Sequence, residues 1–170
     1  YWVKLGDASA EFSGSYSENE FQYGEVYVDP EVGDDDMGSG DLSSPYKTIG
    51  NALLNGFGQA GSPFIVHLSE GVYDIDSGER FPIQLPSNVS LIGAGPDLTI
   101  IDASSSNNVF YLDNVYGCTL EGLTITGGNG LSGIMYGAGA GLIALNSEIS
   151  IIDVMVRDNH TNTFGGGLFL

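Results

Sequence analysis

Six acids fall within the thirteen positions from Asp29 to Asp41: Asp29, Glu31, Asp34, Asp35, Asp36 and Asp41. Ca²⁺ takes about six to eight oxygens, and a flexible carboxylate-rich loop can supply them. Asp34, Asp35, Asp36 and Asp41 are therefore candidate calcium ligands. The spacing in Asp-Asp-Asp-Met-Gly-Ser-Gly-Asp is not that of an EF-hand, and it lacks the Gly-Gly-x-Gly-x-Asp repeat of calcium-binding β-rolls. The second reading is a solvated turn, in which Asp and Gly serve backbone geometry, and the spacing favours it. Calcium is an optional occupant, and no cofactor is required.

Other chemistry-bearing residues are scattered. His67 sits in an apolar run, Ile65-Val-His-Leu68, and His160 in a turn. Neither has a second His, Cys or acid at ligand spacing, so each reads as structural. Arg157-Asp158 reads as a surface ion pair, or as the edge of a site that continues downstream. No Gly-x-Ser-x-Gly, P-loop or dinucleotide fingerprint stands between a strand and a helix. Asn88-Val-Ser90 and Asn159-His-Thr161 are glycosylation sequons, a pattern that also arises by chance.

Composition narrows the partners. The 170 residues suit one domain, with 22 acids against 4 bases and a net charge of −18. Nucleic acid and anionic membranes need Lys and Arg, so both are excluded as expected partners. With 42% apolar residues the chain has a core to bury and is not an acidic disordered tail. No apolar run approaches the ~18 residues that would span a bilayer. The lone Cys118 leaves the redox compartment open. Because the chain opens on Tyr1 rather than Met, it reads as a mature product or a piece of something larger.

The elements that must position these residues appear as a repeat. Val89–Gly93, Cys118–Gly122 and Ile149–Asp153 align at offsets of 118 − 89 = 29 and 149 − 118 = 31. Leu123–Thr126 and Val154–Arg157 follow at 154 − 123 = 31, with Thr99–Asp102 as the earlier member. A third set is Val109–Leu112, Leu142–Leu145 and Gly167–Leu170. Three strands per coil, in constant order about every 30 residues, predict an all-β, three-sided parallel solenoid. Alternation directs Leu123, Ile125, Val154 and Val156 inward, and Thr124, Thr126, Met155 and Arg157 outward. Cys118 then takes a core column with Val89 and Ile149. The outward column Asp102, Thr126, Arg157 holds one acid, and its neighbour pairs Thr124 with Met155.

Upstream, Glu25–Pro30 predicts a short strand stopped by proline. Ser43-Ser-Pro45 predicts a helix start, with Ile49, Ala52, Leu53 and Phe57 on one face and Gly56 and Gly58 at its end. Residues 1–24 read as a linker or irregular edge, and 25–170 as the solenoid.

The order of pieces from Val26 to Ala103 resembles the N-terminal module of the right-handed parallel β-helix superfamily of pectate-lyase-like proteins. Those pieces are Val26–Pro30, Gly33–Gly40, Ser44–Leu53, Val66–Asp74 and Leu85–Ala103. Gly137–Leu145 and Val156–Leu170 resemble more loosely the Gly-Gly-aliphatic and Phe-x-x-Asn repeats of polymorphic outer membrane proteins; Val156 stands where that repeat has Phe. The resemblance implies that the helix at 45–54 caps the first coil. The stop at Gly165–Leu170, in the middle of a coil and without a cap, predicts that coils continue beyond Leu170. The resemblance also implies what an enzyme of the superfamily needs: acids on neighbouring coils holding Ca²⁺ with an Arg or Lys base, or, for hydrolysis, converging carboxylates. The column at Asp102 supplies one acid only. The expectation is a secreted or cell-surface structural or adhesion-type β-helix without its own catalytic site, contacting extracellular polysaccharide or protein. The alternative is the N-terminal part of a polysaccharide-active lyase or hydrolase.

Overall fold

The computed structural model describes residues 24–130, 138–162 and 164–170. The linker expected at 1–24 lies, Gly24 apart, outside them.

The strands are short and rich in β-branched residues, and every ladder between them is parallel. They are β1 (Glu25–Val28), β2 (Phe64–Leu68), β3 (Gly71–Tyr73), β4 (Val89–Gly93), β5 (Thr99–Asp102), β6 (Phe110–Asp113), β7 (Cys118–Thr126), β8 (Leu142–Leu145), β9 (Ile149–Val156) and β10 (Leu168–Phe169). One helix, α1 (Ile49–Leu54), lies between β1 and β2. The first side of the solenoid runs β1-β2-β4-β7-β9, and the third runs β6-β8-β10. The second side starts at β3 and β5 and joins the first through β7. That strand pairs with β4 by its first half and with β5 by its second. Gly122, at φ +62°, makes the corner between the halves, where a Cβ would come within 2.9 Å of Gly93 O.

The repeat columns stack as the spacing requires. Cys118 pairs with Ile149 and Leu123 with Val154, while Asp102 pairs with Thr126. On the third side the register differs by one residue from the sets as aligned in sequence: Leu142 pairs with Phe110 and with Leu168, not with Val109 and Gly167. In this register Phe110 and Leu142, both fully buried, lie side by side.

Inward residues form one continuous core that includes Val26, Phe64, Leu91, Leu120, Leu123 and Ile125. Val154 and Val156 pack on it half-buried, because no further strand covers β9 among the described residues. The outward threonines depart from expectation. Thr124 and Thr126 are both buried, and Thr124 Oγ1 donates to Pro96 O at 2.6 Å, so the 94–98 turn folds over that face. Cys118 is a buried core residue whose thiol is pushed up by burial.

The helix also starts later than Ser43-Ser-Pro45 suggests. Its N-cap is Thr48, extended at φ −116° and ψ 148°, whose side chain accepts from Asn51 N. Pro45 and Tyr46 cannot be helical because Tyr46 is committed to the sheet: its N–H donates to Tyr27 O, and its O accepts from Asp29 N. Ile49 and Ala52 reach full burial in the core beside β1, and Leu53 packs against it. Phe57 lies past the helix end and remains partly exposed.

Candidate functional site

The acidic segment is the lid of the solenoid. A first strand leaves a row of unpaired backbone groups, an aggregation hazard. Here the chain after β1 doubles back along that edge. Tyr27 N donates to Gly40 O, and the Tyr46 bonds above continue the pairing.

The carboxylates hold this return in place. Asp29 Oδ1 accepts from the N–H groups of Glu31 and Val32, and Asp34 Oδ1 from those of Asp36 and Met37. These are Asx turns, in which a short acid mimics a backbone carbonyl. The two N–H donors hold the Asp34 carboxyl below its ordinary range. Asp35 reaches further: its Oδ1 accepts from Lys47 N and Thr48 N, and its Oδ2 from Thr48 Oγ1 at 2.7 Å. Asp41 Oδ2 accepts from Ser39 Oγ. Asp36 contributes its N–H to Asp34. Asp34, Asp35, Asp36 and Asp41 thus share one loop, but three of their carboxylates are directed at different backbone or hydroxyl donors. Among the described residues no three His, Cys, Asp or Glu side chains gather as a metal's ligand set.

A second acid completes the helix start. Glu79, 3% exposed, accepts from Ile49 N at 2.7 Å on Oε2, and from Gly50 N and Arg80 N on Oε1. The first N–H groups of a helix have no intrahelical partner. Here Asp35, Glu79 and Thr48 take those of Thr48, Ile49, Gly50 and Asn51. Desolvation pushes the Glu79 carboxyl up, against the pull of its three N–H donors, and the nearby Asp35 charge pushes the same way. Beside this clamp lies an open groove of about 530 Å³, whose lining includes Asn51, Leu54, Arg80, Pro82 and Gln84. Glu79 was beyond sequence reasoning: it stands 30 positions from the backbone it caps, in a turn with no motif.

The outer faces carry the remaining candidates. Asp102 precedes Thr126 in the ladder, and the Arg157 N–H donates to Ile125 O, so the column Asp102, Thr126, Arg157 stands as aligned. A second acid enters at its top. Asp74 follows Tyr73, whose ladder partner Ile101 precedes Asp102. Both acids are turn formers: Asp74 Oδ1 accepts from Ser77 N, and Asp102 Oδ1 from Ser104 N. Arg157 pairs with its neighbour Asp158 at 2.9 Å on the surface. His67 lies outward on β2, 2.9 Å from Glu25 and stacked on Tyr27 with ring centroids 4.9 Å apart. His160 is held through its backbone, in a bridge to Asn129.

Comparisons with known proteins agree with this architecture. Residues 32–97, the edge return, the helix and the first coil, match a protein family of unknown function, DUF1565. The solved structure of pectin methylesterase PemA from Erwinia chrysanthemi superposes with a TM-score of 0.51 at 18% identity, over 82% of this chain and 44% of that one. The fold is a right-handed parallel β-helix of the pectate-lyase-like kind. In sequence, 148 residues are 32% identical to a segment of metabotropic glutamate receptor-like protein P from Dictyostelium discoideum. That match takes in 85% of this β-helix chain but only 10% of the receptor-like protein. No helix among the described residues is long and apolar enough to cross a membrane.

Proposed function

We propose that this β-helix is a structural, adhesion-type segment of a secreted or cell-surface protein, and that its outer faces contact extracellular polysaccharide or protein. The observation that carries this reading is the use of the acids. Asp29, Asp34, Asp35, Asp74, Glu79 and Asp102 all accept backbone N–H groups at turns or at the helix start. Their chemistry is that of a scaffold which fixes its own corners and closes its own first edge. The similarity to part of a much longer receptor-like protein supports the same reading. A further parallel coil of the same polypeptide suits the open side of β9, where Ile149, Ile151, Val154 and Val156 are half-buried. Calcium keeps the role of an optional occupant of the 34–41 loop.

The second reading is the N-terminal part of a polysaccharide-active enzyme, favoured by the structural likeness to a pectin methylesterase. Localisation tests the extracellular setting that both readings share, and turnover separates them. Epitope-tagged full-length protein in its own host is expected at the cell surface or in the medium. The purified protein is expected to release neither methanol from methylesterified polygalacturonate nor ultraviolet-absorbing unsaturated products from the demethylated polymer. Turnover in either assay would replace the structural reading with the enzymatic one.

A further inference from the structure

The return that closes the first edge also builds a groove of about 380 Å³ beside β1, whose lining includes Tyr27, Asp29, Val32, Asp34, Leu42 and Pro45. Its walls are fixed. Gly33 N donates to Asp29 O and Asp34 N to Pro45 O, so the stretch between the two acids is tied at both ends. Tyr27 alternates with the buried Val26 and Val28 and so faces outward. Its ring is stacked on His67, which in turn lies 2.9 Å from Glu25.

Three features of the groove agree on one occupant. The first is charge without a partner. Asp29 and Asp34 each commit Oδ1 to their own turn, and Asp34 is exposed. Among the described residues the ion pairs are His67–Glu25 and Arg157–Asp158. Neither acid therefore has a cation in contact, and Lys47 acts on Asp34 only from beyond that range. The second is the Tyr27 ring, since aromatic faces attract cations. The third is an apolar rim: Val32 is 76% exposed and Leu42 74%. Exposed aliphatics are ordinary singly, but here two of them flank one groove.

A guanidinium meets all three demands. Its planar fork pairs with carboxylates and stacks on aromatic rings, and its methylene stem covers apolar surface. A metal ion would leave the ring and the rim unused, and an anion is repelled by the net charge of −18. A neutral sugar would leave both carboxylates without a counter-charge. The geometry points to this groove as a docking site for an arginine side chain of a partner protein, with the partner's neighbouring aliphatic residues resting on Val32 and Leu42. This rests on the adhesion reading above and deepens it, naming the face and choosing protein over polysaccharide.

The test is to titrate the ¹⁵N-labelled full chain with the end-capped peptide Gly-Leu-Arg-Leu-Gly and with its citrulline counterpart, which keeps the shape without the charge. Amide shifts are expected to concentrate in residues 27–45, and the citrulline peptide to bind about tenfold more weakly or worse. Raising NaCl from about 50 mM to about 500 mM is expected to weaken the arginine peptide several-fold. The double variant Val32→Ser, Leu42→Ser changes only exposed side chains. It is expected to keep the thermal midpoint and to bind about tenfold more weakly. Shifts scattered over the acidic surface, equal binding of the citrulline peptide, or undiminished binding by the double variant overturns the inference. Saturation of the same amides by a chitosan oligomer but not by the peptide overturns it in favour of a polysaccharide partner. A tagged native protein that stays inside its cell would sink the adhesion reading, whereas these titrations read the groove alone.

Discussion

At the scale of single residues, the acidic loop acts through backbone donors, and its members are unequal. Asp35 ties three donors across 12 and 13 positions, whereas Asp36 offers only its own N–H. Losing a partner to a charged acceptor leaves donors unsatisfied at about 1–3 kcal/mol. In urea denaturation Asp35→Ala is expected to destabilise by about that amount, and Asp36→Ala to stay within ~0.5 kcal/mol of wild type. A calcium site would make all four acids matter together; calorimetric titration showing calcium binding abolished by either substitution would restore it. Glu79 gives a pH signature. Its carboxyl is raised in the fold above the ordinary 4.5, so the folded state binds its proton more tightly than the unfolded chain. Its contribution is therefore fully present below the unfolded value and lost as pH rises through the folded one. Wild-type stability relative to Glu79→Ala is expected to grow as pH is lowered from neutral toward 4.5, read as the difference between two denaturation midpoints. Asp34 has the opposite sign: its lowered carboxyl favours the fold above its unfolded value and loses that effect in stronger acid.

At the scale of elements, the six-residue α1 is too short to persist alone, since isolated helices below about 12 residues are marginal. It exists because Ile49 and Ala52 are buried and because carboxylates from both directions of the chain cap its start. Its exit depends on close packing. A Cβ on Gly56 would fall within 2.1 Å of the Phe64 ring, which is itself fully buried. Gly56→Ala is expected to cost about 1–3 kcal/mol through overpacking, visible as a lower thermal midpoint. The helix face Ile49, Ala52, Leu53 was legible from its 3.6-residue period. The start was not, because Pro45 marks a helix only where the backbone is free to be one, and the β1 edge holds Tyr46. Likewise the inward positions of β7 followed from alternation, while the burial of Thr124 depended on a turn 28 residues away.

At the scale of the whole molecule, the solenoid is asymmetric. The β1 side is closed by the 33–46 return and by α1, whereas β9 has one ladder partner among the described residues. Ile152, Met155, Leu168 and Leu170 are all exposed in this last coil. An open edge with exposed aliphatics is a template for pairing. A chain extended by one added parallel coil of about 30 residues that pairs with β9 is expected to bind less of an apolar fluorescent dye and to slow β9 amide exchange. Unchanged exchange in β9 would remove the proposed stacking. The charge of −18 opposes uncontrolled self-association, an effect that salt weakens.

The period of about 30 residues, the order of three strands and the inward columns at Leu123 and Ile125 were fixed by sequence alone. Each coil must bury the same side of the same strand on its predecessor, so the core writes its spacing directly into the chain. The acids wrote no such spacing. Whether Asp34, Asp35, Asp36 and Asp41 converge on one point or turn to separate donors depends on where the backbone N–H groups of Met37, Thr48 and their neighbours come to lie. The partnership of Glu79 with Ile49, 30 residues apart, was likewise decided only in three dimensions. A polar side chain is defined by the donors and acceptors that folding brings to it, and those come from other coils.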